Sequence, residues 1–185
     1  TIPGYGWLNA FAPFNGVQYA DASQRARSHP QLTEYRRGVA LIDAGPTDAY
    51  VFNVQRVAGG TVHTWCAHAN QNDQFEANAD LKPAVSPAAV NYLKGFKTPE
   101  TQVGPAHAVS NLFPRPAEGT APADLVATWR LHPRTEQAFR YEKLPEDQKI
   151  FARWRLFGHG GEALYAANGT SDRYRYDMTF LFVQN

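Results

Sequence analysis

Apolar and polar positions alternate with a period of two along much of this chain, the pattern of strands with one face turned inward. "YRRGVALID" (35–43) is followed by the turn-rich hexapeptide "AGPTDA". Next comes "YVFNVQRV" (50–57), where Tyr50, Phe52 and Val54 alternate with Val51, Asn53 and Gln55. This spacing predicts a β-hairpin. Gly59-Gly60 reads as a second tight turn leading into "TVHTWCAH", so that three strands form a meander. Further strands are predicted over "DLVATWRLH", "QAFRYEKL", "KIFARWRLF", "EALYAAN" and "RYRYDMTFLFVQ". In "IFARWRLF", Phe151, Arg153, Arg155 and Phe157 oppose Ile150, Ala152, Trp154 and Leu156, so a guanidinium-bearing face backs an apolar one. In the last segment Tyr174, Tyr176, Met178, Phe180 and Phe182 share one face, and Arg173, Arg175, Asp177 and Thr179 the other.

Residues 69–124 interrupt this rhythm with Asn, Ala, Pro and Gly and are expected to form a long loop excursion, of the kind that is usually functional or packed on another part of a protein. Within it "SPAAVNYLKGF" has Ser86 as a candidate N-cap and Pro87 at the first helical position, which predicts a short helix ending before Gly95. About eight strands separated by short turns point to an all-β fold, an antiparallel β-sandwich with one long irregular loop, formed as a single domain over 1–185. Asn168-Gly-Thr170 reads as a hairpin turn rather than a glycosylation triplet.

Composition supports this picture. The length, 185 residues, suits one domain with a real core, and the aromatic share of 13% favours pleated, half-buried surfaces. A net charge of +1 gives no global field toward nucleic acid or an anionic membrane, so any anion recognition is local. No stretch approaches the ~20 apolar residues of a helical membrane span. The start, "TIPGYGWLNAF", lacks the basic and apolar regions of a signal peptide. With no initiator methionine and an end inside the alternating run "MTFLFVQN", both termini are expected to continue in a longer protein. Cys66 is the single cysteine, which rules out an internal disulfide and leaves the redox compartment open.

The candidate chemistry clusters in "RVAGGTVHTWCAH" (56–68). His63 and His68 are five apart, so on a regular strand they face opposite ways, His63 with Trp65 and His68 with Thr64 and Cys66. That parity argues against a zinc site built from His63, Cys66 and His68, since structural zinc needs four converging ligands. No metal ligands are assigned, and Cys66 is read as a small hydrophobe. The bland alternatives are a hydrogen-bonded strand histidine, a core Trp65, and a solvated sheet face for Arg36-Arg37 and Arg153/Arg155. The sharper one is that guanidiniums grip carboxylates bidentately. The signatures G-x-S-x-G, G-x-G-x-x-G, H-E-x-x-H and the P-loop are all missing, which removes the main support for nucleotide-binding and serine-hydrolase readings.

The succession "EYRRGVALIDA", "DAYVFNVQRVAGGTVHTWCAH", a long loop with "YLKGF", then "LVATWRLH", "ARWRLFG", "EALYAANG" and "DMTFLFVQN" resembles the C-terminal β-sandwich region of the heparinase II/III-like polysaccharide lyases. The resemblance covers most of 35–185 and is sharpest over 50–68. It implies an enzyme built from an α/α toroid followed by antiparallel sheets, cleaving uronic-acid polysaccharides by β-elimination. That reaction needs the uronate carboxylate neutralised, a base for the α-proton, and an acid for the leaving oxygen. The toroid, its catalytic tyrosine and histidine, and the residues that help bind the family's structural metal have no counterpart here.

The resemblance therefore implies catalytic residues mainly in an upstream helical domain of the same protein. No cofactor is expected in these residues, and a divalent metal stays open only for the full-length protein. Carried over residue by residue, it implies catalytic or cleft-side roles for His63 and His68 and substrate-binding roles for Arg56 and Trp65. The implied partner is an acidic polysaccharide or oligosaccharide, not nucleic acid or membrane, and the implied location is the periplasm or the cell exterior. The reading from another class is a non-catalytic carbohydrate-binding or scaffold sandwich, with aromatic rings stacking on sugars.

Overall fold

A computed structural model of the chain describes residues 5–25, 30–46, 48–69, 72–85, 111–112, 117–131, 149–170 and 177–185. The fold is all-β and antiparallel, with no helix among the described residues. The helix expected over "SPAAVNYLKGF" and the strand expected over "QAFRYEKL" lie outside them. The chain divides into two compact units, residues 1–63 and 64–185.

The first unit is a four-stranded meander of β1 (Tyr5–Phe14), β2 (Val17–Arg25), β3 (Glu34–Asp43) and β4 (Ala49–Ala58), in that spatial order. The β3–β4 hairpin is the one the alternation predicts, with Arg36 opposite Arg56 and Ala40 opposite Phe52. The β1–β2 hairpin lies before the succession that begins at Tyr35. Its turn is Asn15-Gly16, a strong short-range hairpin signal, and Gly16 takes the positive φ of 73° that such a turn requires. A bulge between Leu8 and Ala10 leaves Asn9 without a ladder partner and turns its side chain toward β2.

The second unit contains two sheets. One is β11-β10-β6, made of β6 (Asn72–Ala77), β10 (Asp124–Leu131) and β11 (Ile150–Phe157). The other is β5-β13-β12-β9-β7, with β8 also pairing β12. Its strands are β5 (Thr64–His68), β7 (Lys82–Pro83), β8 (Asn111–Leu112), β9 (Ala117–Thr120), β12 (Ala163–Thr170) and β13 (Asp177–Gln184). Inward residues of both sheets form one core. Leu125, Ala127, Trp129 and Leu156 from the first sheet meet Ala67, Leu164, Ala166, Leu181 and Val183 from the second, an arrangement typical of a sandwich. Trp129 is fully buried, and its indole N–H donates to the Thr179 carbonyl at 2.9 Å. A buried indole needs such a partner. Trp65 and Trp154 meet edge to face at 5.8 Å.

Several local expectations are corrected. "TVHTWCAH" does not extend the meander: β5 pairs with β13, not with β4. Gly59 and Gly60 both have positive φ, and Thr61–His63 lie outside any strand, so the chain leaves the sheet of β4 rather than folding back on it. Periodicity locates a strand but not its partner, and β13 supplies the apolar matches Leu181 for Ala67 and Val183 for Trp65. The stretch 69–124 contributes β6, β7, β8 and β9 instead of running throughout as loop, because "NDQFEA" puts Phe75 and Ala77 against the core. Asn168-Gly-Thr170 is not a turn: the ladder of β12 to β13 runs through Thr170 opposite Asp177. The alternation of "IFARWRLF" holds, with Phe151, Arg153, Arg155 and Phe157 exposed and Leu156 buried.

Candidate functional site

The face of the first unit's sheet that carries Arg56 is built in ranks across its strands. Trp7, Ser23, Arg36 and Arg56 form one rank; Ala10, Asp21, Gly38 and Val54 the next; then Ala12, Tyr19, Ala40 and Phe52. Residues opposite one another in an antiparallel ladder point the same way, so the ranks stack on one face. Between them lies an open concavity of about 150 Å³ lined by Tyr19, Asp21, Arg36, Gly38, Ala40, Phe52, Val54 and Arg56.

Asp21 is the hub. It is 4% exposed, and a carboxylate in that position needs partners for its charge and lone pairs. Arg36 Nε donates to Oδ1 at 2.8 Å and to Oδ2 at 3.0 Å. Asn9 Nδ2 donates to Oδ1 at 2.5 Å and the Tyr19 hydroxyl to Oδ2 at 2.9 Å. The hydrogen bond from Arg36, followed by that from Asn9, pulls the Asp21 carboxyl down to about 2. Tyr19 responds in the opposite direction: its hydroxyl proton is committed to Asp21, which raises its pKa. Gly38 is the floor, since a Cβ there would meet the Tyr19 hydroxyl at 3.0 Å and Asp21 Oδ2 at 3.5 Å.

Arg36 and Arg56 are directly opposed across β3 and β4; Asp21 bonds to Arg36, and Glu34, on the same face of β3, acts on Arg36 through its charge. Asp21 is already engaged by Arg36, whereas Arg56 makes no hydrogen bond or ion pair among the described residues. The lining of the concavity therefore carries two guanidiniums against one carboxylate, with Glu34 beside it on the same face, and Arg56 is the guanidinium not engaged by a carboxylate. A carboxyl near 2 is too weak a base to take a carbon-bound proton near neutral pH, and a tyrosine donating to a carboxylate is held in its neutral form. Electrostatic stabilisation of an anion is what this arrangement offers, rather than proton transfer.

The residues proposed from sequence fall in different places. Arg56 lines the concavity. His63 sits after the double glycine with Nε2 at 2.6 Å from the Gly59 carbonyl; a carbonyl only accepts, so Nε2 carries the proton. Trp65 and His68 belong to β5 in the second unit and face opposite ways: Trp65 packs toward the core, while His68 lies 4.9 Å from the Phe180 ring. His68 Nδ1 is 3.1 Å from the Ala69 carbonyl and so carries its proton there. Cys66 is on the His68 face of β5. Its residue surface is exposed, yet neighbouring atoms crowd the sulfur enough to push the thiol up to about 11, which leaves it neutral and unreactive at pH 7. Among the described residues no three His, Cys, Asp or Glu side chains come together to hold a metal ion.

Tyr19 and Asp21 lie on a hairpin outside the predicted succession, and the Asn15-Gly16 turn followed by the alternating Val17, Tyr19, Asp21 and Ser23 is the signal that places them. Arg36 is one of the guanidiniums considered for carboxylate binding. Its neighbour Arg37 points to the other face, where Nε donates to Asn53 Oδ1 at 3.0 Å. No protein-family model matches the sequence, and neither a curated protein nor a solved structure is detectably similar to it.

Proposed function

We propose that this chain is the β-sheet portion of a polysaccharide lyase that cleaves uronic-acid-containing polysaccharide by β-elimination, with the principal base and acid supplied by a helical domain upstream in the same protein. The observation that carries the reading is the pairing of Arg36 and Arg56 over a saturated Asp21. Of the three tasks of β-elimination, this face is equipped for one, the neutralisation of a carboxylate, and has no group suited to the proton steps. Arg56 also lies in the stretch where the resemblance to heparinase II/III-like lyases is sharpest. On this reading the protein works in the periplasm or outside the cell, where such polysaccharides are met.

A second reading, a non-catalytic carbohydrate-binding sheet, draws support from the exposed aromatics on the same face. Trp7, Tyr50 and Phe52 are each about half exposed, and exposed rings beside a cation suit sugar stacking. The two readings part in one assay. The natural polypeptide containing this sequence is incubated with alginate, hyaluronan, heparin and polygalacturonate, and unsaturated uronate products are followed by ultraviolet absorbance. The lyase reading expects product from at least one polymer. Binding to these polymers with no unsaturated product from any of them overturns it in favour of the second.

A further inference from the structure

We infer that the concavity bounded by Tyr19, Arg36, Phe52 and Arg56 binds a single carboxylate-bearing sugar unit of an acidic glycan, with Arg56 as the residue that selects the charged over the neutral form. The inference deepens the proposed function and rests on it for the sugar class, while the charge selectivity rests on the geometry alone.

Arg36 and Arg56 have different tasks. Arg36 commits Nε to both oxygens of Asp21, and its remaining guanidinium nitrogens make no hydrogen bond among the described residues. Its side chain is 41% exposed, so those nitrogens are within reach of a ligand. Arg56, directly opposite and exposed, presents a whole fork. A carboxylate between them gains charge-assisted hydrogen bonds and relieves the repulsion of two like charges in one cross-strand pair. A neutral ligand does neither.

The rest of the lining fits the ring that carries the carboxylate. Phe52, Ala40 and Val54 form an apolar wall next to the arginines, and Phe52 is 50% exposed, a surface on which the apolar face of a pyranose packs. The Tyr19 hydroxyl gives its proton to Asp21, so its oxygen is left as an acceptor for a sugar hydroxyl. At about 150 Å³ the open concavity is small beside the ~300–1,000 Å³ of pockets for drug-sized ligands, a size that suits one ring of a longer chain. Asp21 is here a positioning residue. It touches no ligand and fixes Arg36 and Tyr19 through the bonds described.

The test titrates the full 185-residue chain with tetrasaccharides of hyaluronan, alginate and polygalacturonate, with their methyl esters, and with inorganic phosphate, using calorimetry and amide shifts at Phe52 and Arg56. At least one free acid is expected to bind, and its methyl ester about tenfold or more weakly. Arg56→Ala is expected to match the ester's loss, Arg56→Lys to fall between, and Arg153→Ala, on β11, to change nothing. Equal binding of acid and ester, wild-type binding by Arg56→Ala, or phosphate binding with no response to any sugar overturns the inference. Binding as expected, with no unsaturated product from the natural polypeptide, leaves the site standing and removes the lyase reading. Product formation with uronate binding indifferent to Arg56→Ala does the reverse.

Discussion

The two units solve the same problem, holding an antiparallel sheet together, by different means. In residues 64–185 the buried side chains among those described are hydrophobic apart from Thr179: Leu125, Trp129, Leu164 and Leu181 are wholly inaccessible and lie where two sheets face each other. In residues 1–63 the only buried side chain among those described is the carboxylate of Asp21, while Trp7, Phe11, Phe14, Val51 and Phe52 stay half exposed or more. One unit is specified by burial of area, the other by ladder hydrogen bonds and a saturated polar hub. An apolar core fixes a fold and presents little chemistry. A polar hub on an open sheet fixes fewer contacts, but it leaves oriented charges at the surface, which is why the candidate site lies in the unit with the poorer core.

The comparison is sharpest at Trp129. Trp129→Ala removes the largest fully buried side chain and its hydrogen bond to the Thr179 carbonyl, and the surrounding strands collapse only partly into the space. A loss of about 3–5 kcal/mol is expected, seen as accelerated amide exchange across β10, β12 and β13. No single apolar truncation in residues 1–63 is expected to match it. Should Phe52→Ala cost as much, that sheet has a core of its own and the contrast between the units fails.

Next in size is Gly59→Ala, which tests the turn that ends the first unit. Gly59 has φ of 85°, and a Cβ there would lie 2.0 Å from the Gln31 carbonyl oxygen, a backbone atom that cannot swing away. Left-handed strain alone accounts for roughly 1–2 kcal/mol, and displacement of Gln31 adds to it. The expected total is about 2 kcal/mol or more, with the Thr33 N–H to Ala58 carbonyl bond lost first, which amide exchange at Thr33 reports. Gly16→Ala, also at positive φ but with nothing within 4 Å of the new Cβ, is expected to cost only the strain.

How much of this was legible in sequence follows from which forces are local. The β3–β4 hairpin and the two faces of β11 could be read because a half-buried strand alternates. β13 reads less well as an amphipathic strand: Phe180 and Phe182 on one face and Thr179, Leu181 and Val183 on the other are all buried, so its central residues form a continuous apolar run. The partner of β5 was not legible, since Trp65 and Val183 meet across more than a hundred residues and nothing near Gly59-Gly60 encodes that pairing. The same holds for the hub. Arg56 could be named from its neighbours, but its setting depends on Asp21 and Tyr19 from another hairpin, and on a bulge that turns Asn9 toward them. His63 stood out for its chemistry, and the contact of its ring nitrogen with the Gly59 carbonyl was not legible from local spacing.

Acid separates the two units through their ion pairs. Asp21 is held at about 2 in the folded protein against 3.8 for the free side chain, so its ionised form is favoured by folding. The stability it contributes is complete above about pH 4 and is lost as pH falls from there toward 2, because the unfolded chain takes up the proton first. Asp124 is also lowered, by the hydrogen bond from Arg155, but that pair is about half exposed on both sides. Solvent and salt screen it, and its titration is expected to leave little mark on stability. The protection of β2 and β3 amides, measured relative to the intrinsic exchange rate at each pH, should therefore fall on acidification from about pH 5 to about pH 2, while that of β10 and β11 stays nearly level. Asp21→Asn should flatten the response of the first sheet and Asp124→Asn should leave both unchanged. If β2 and β3 keep their acid response in Asp21→Asn, Asp21 does not govern the acid sensitivity of that sheet, and the hub is not what holds Arg36 in place.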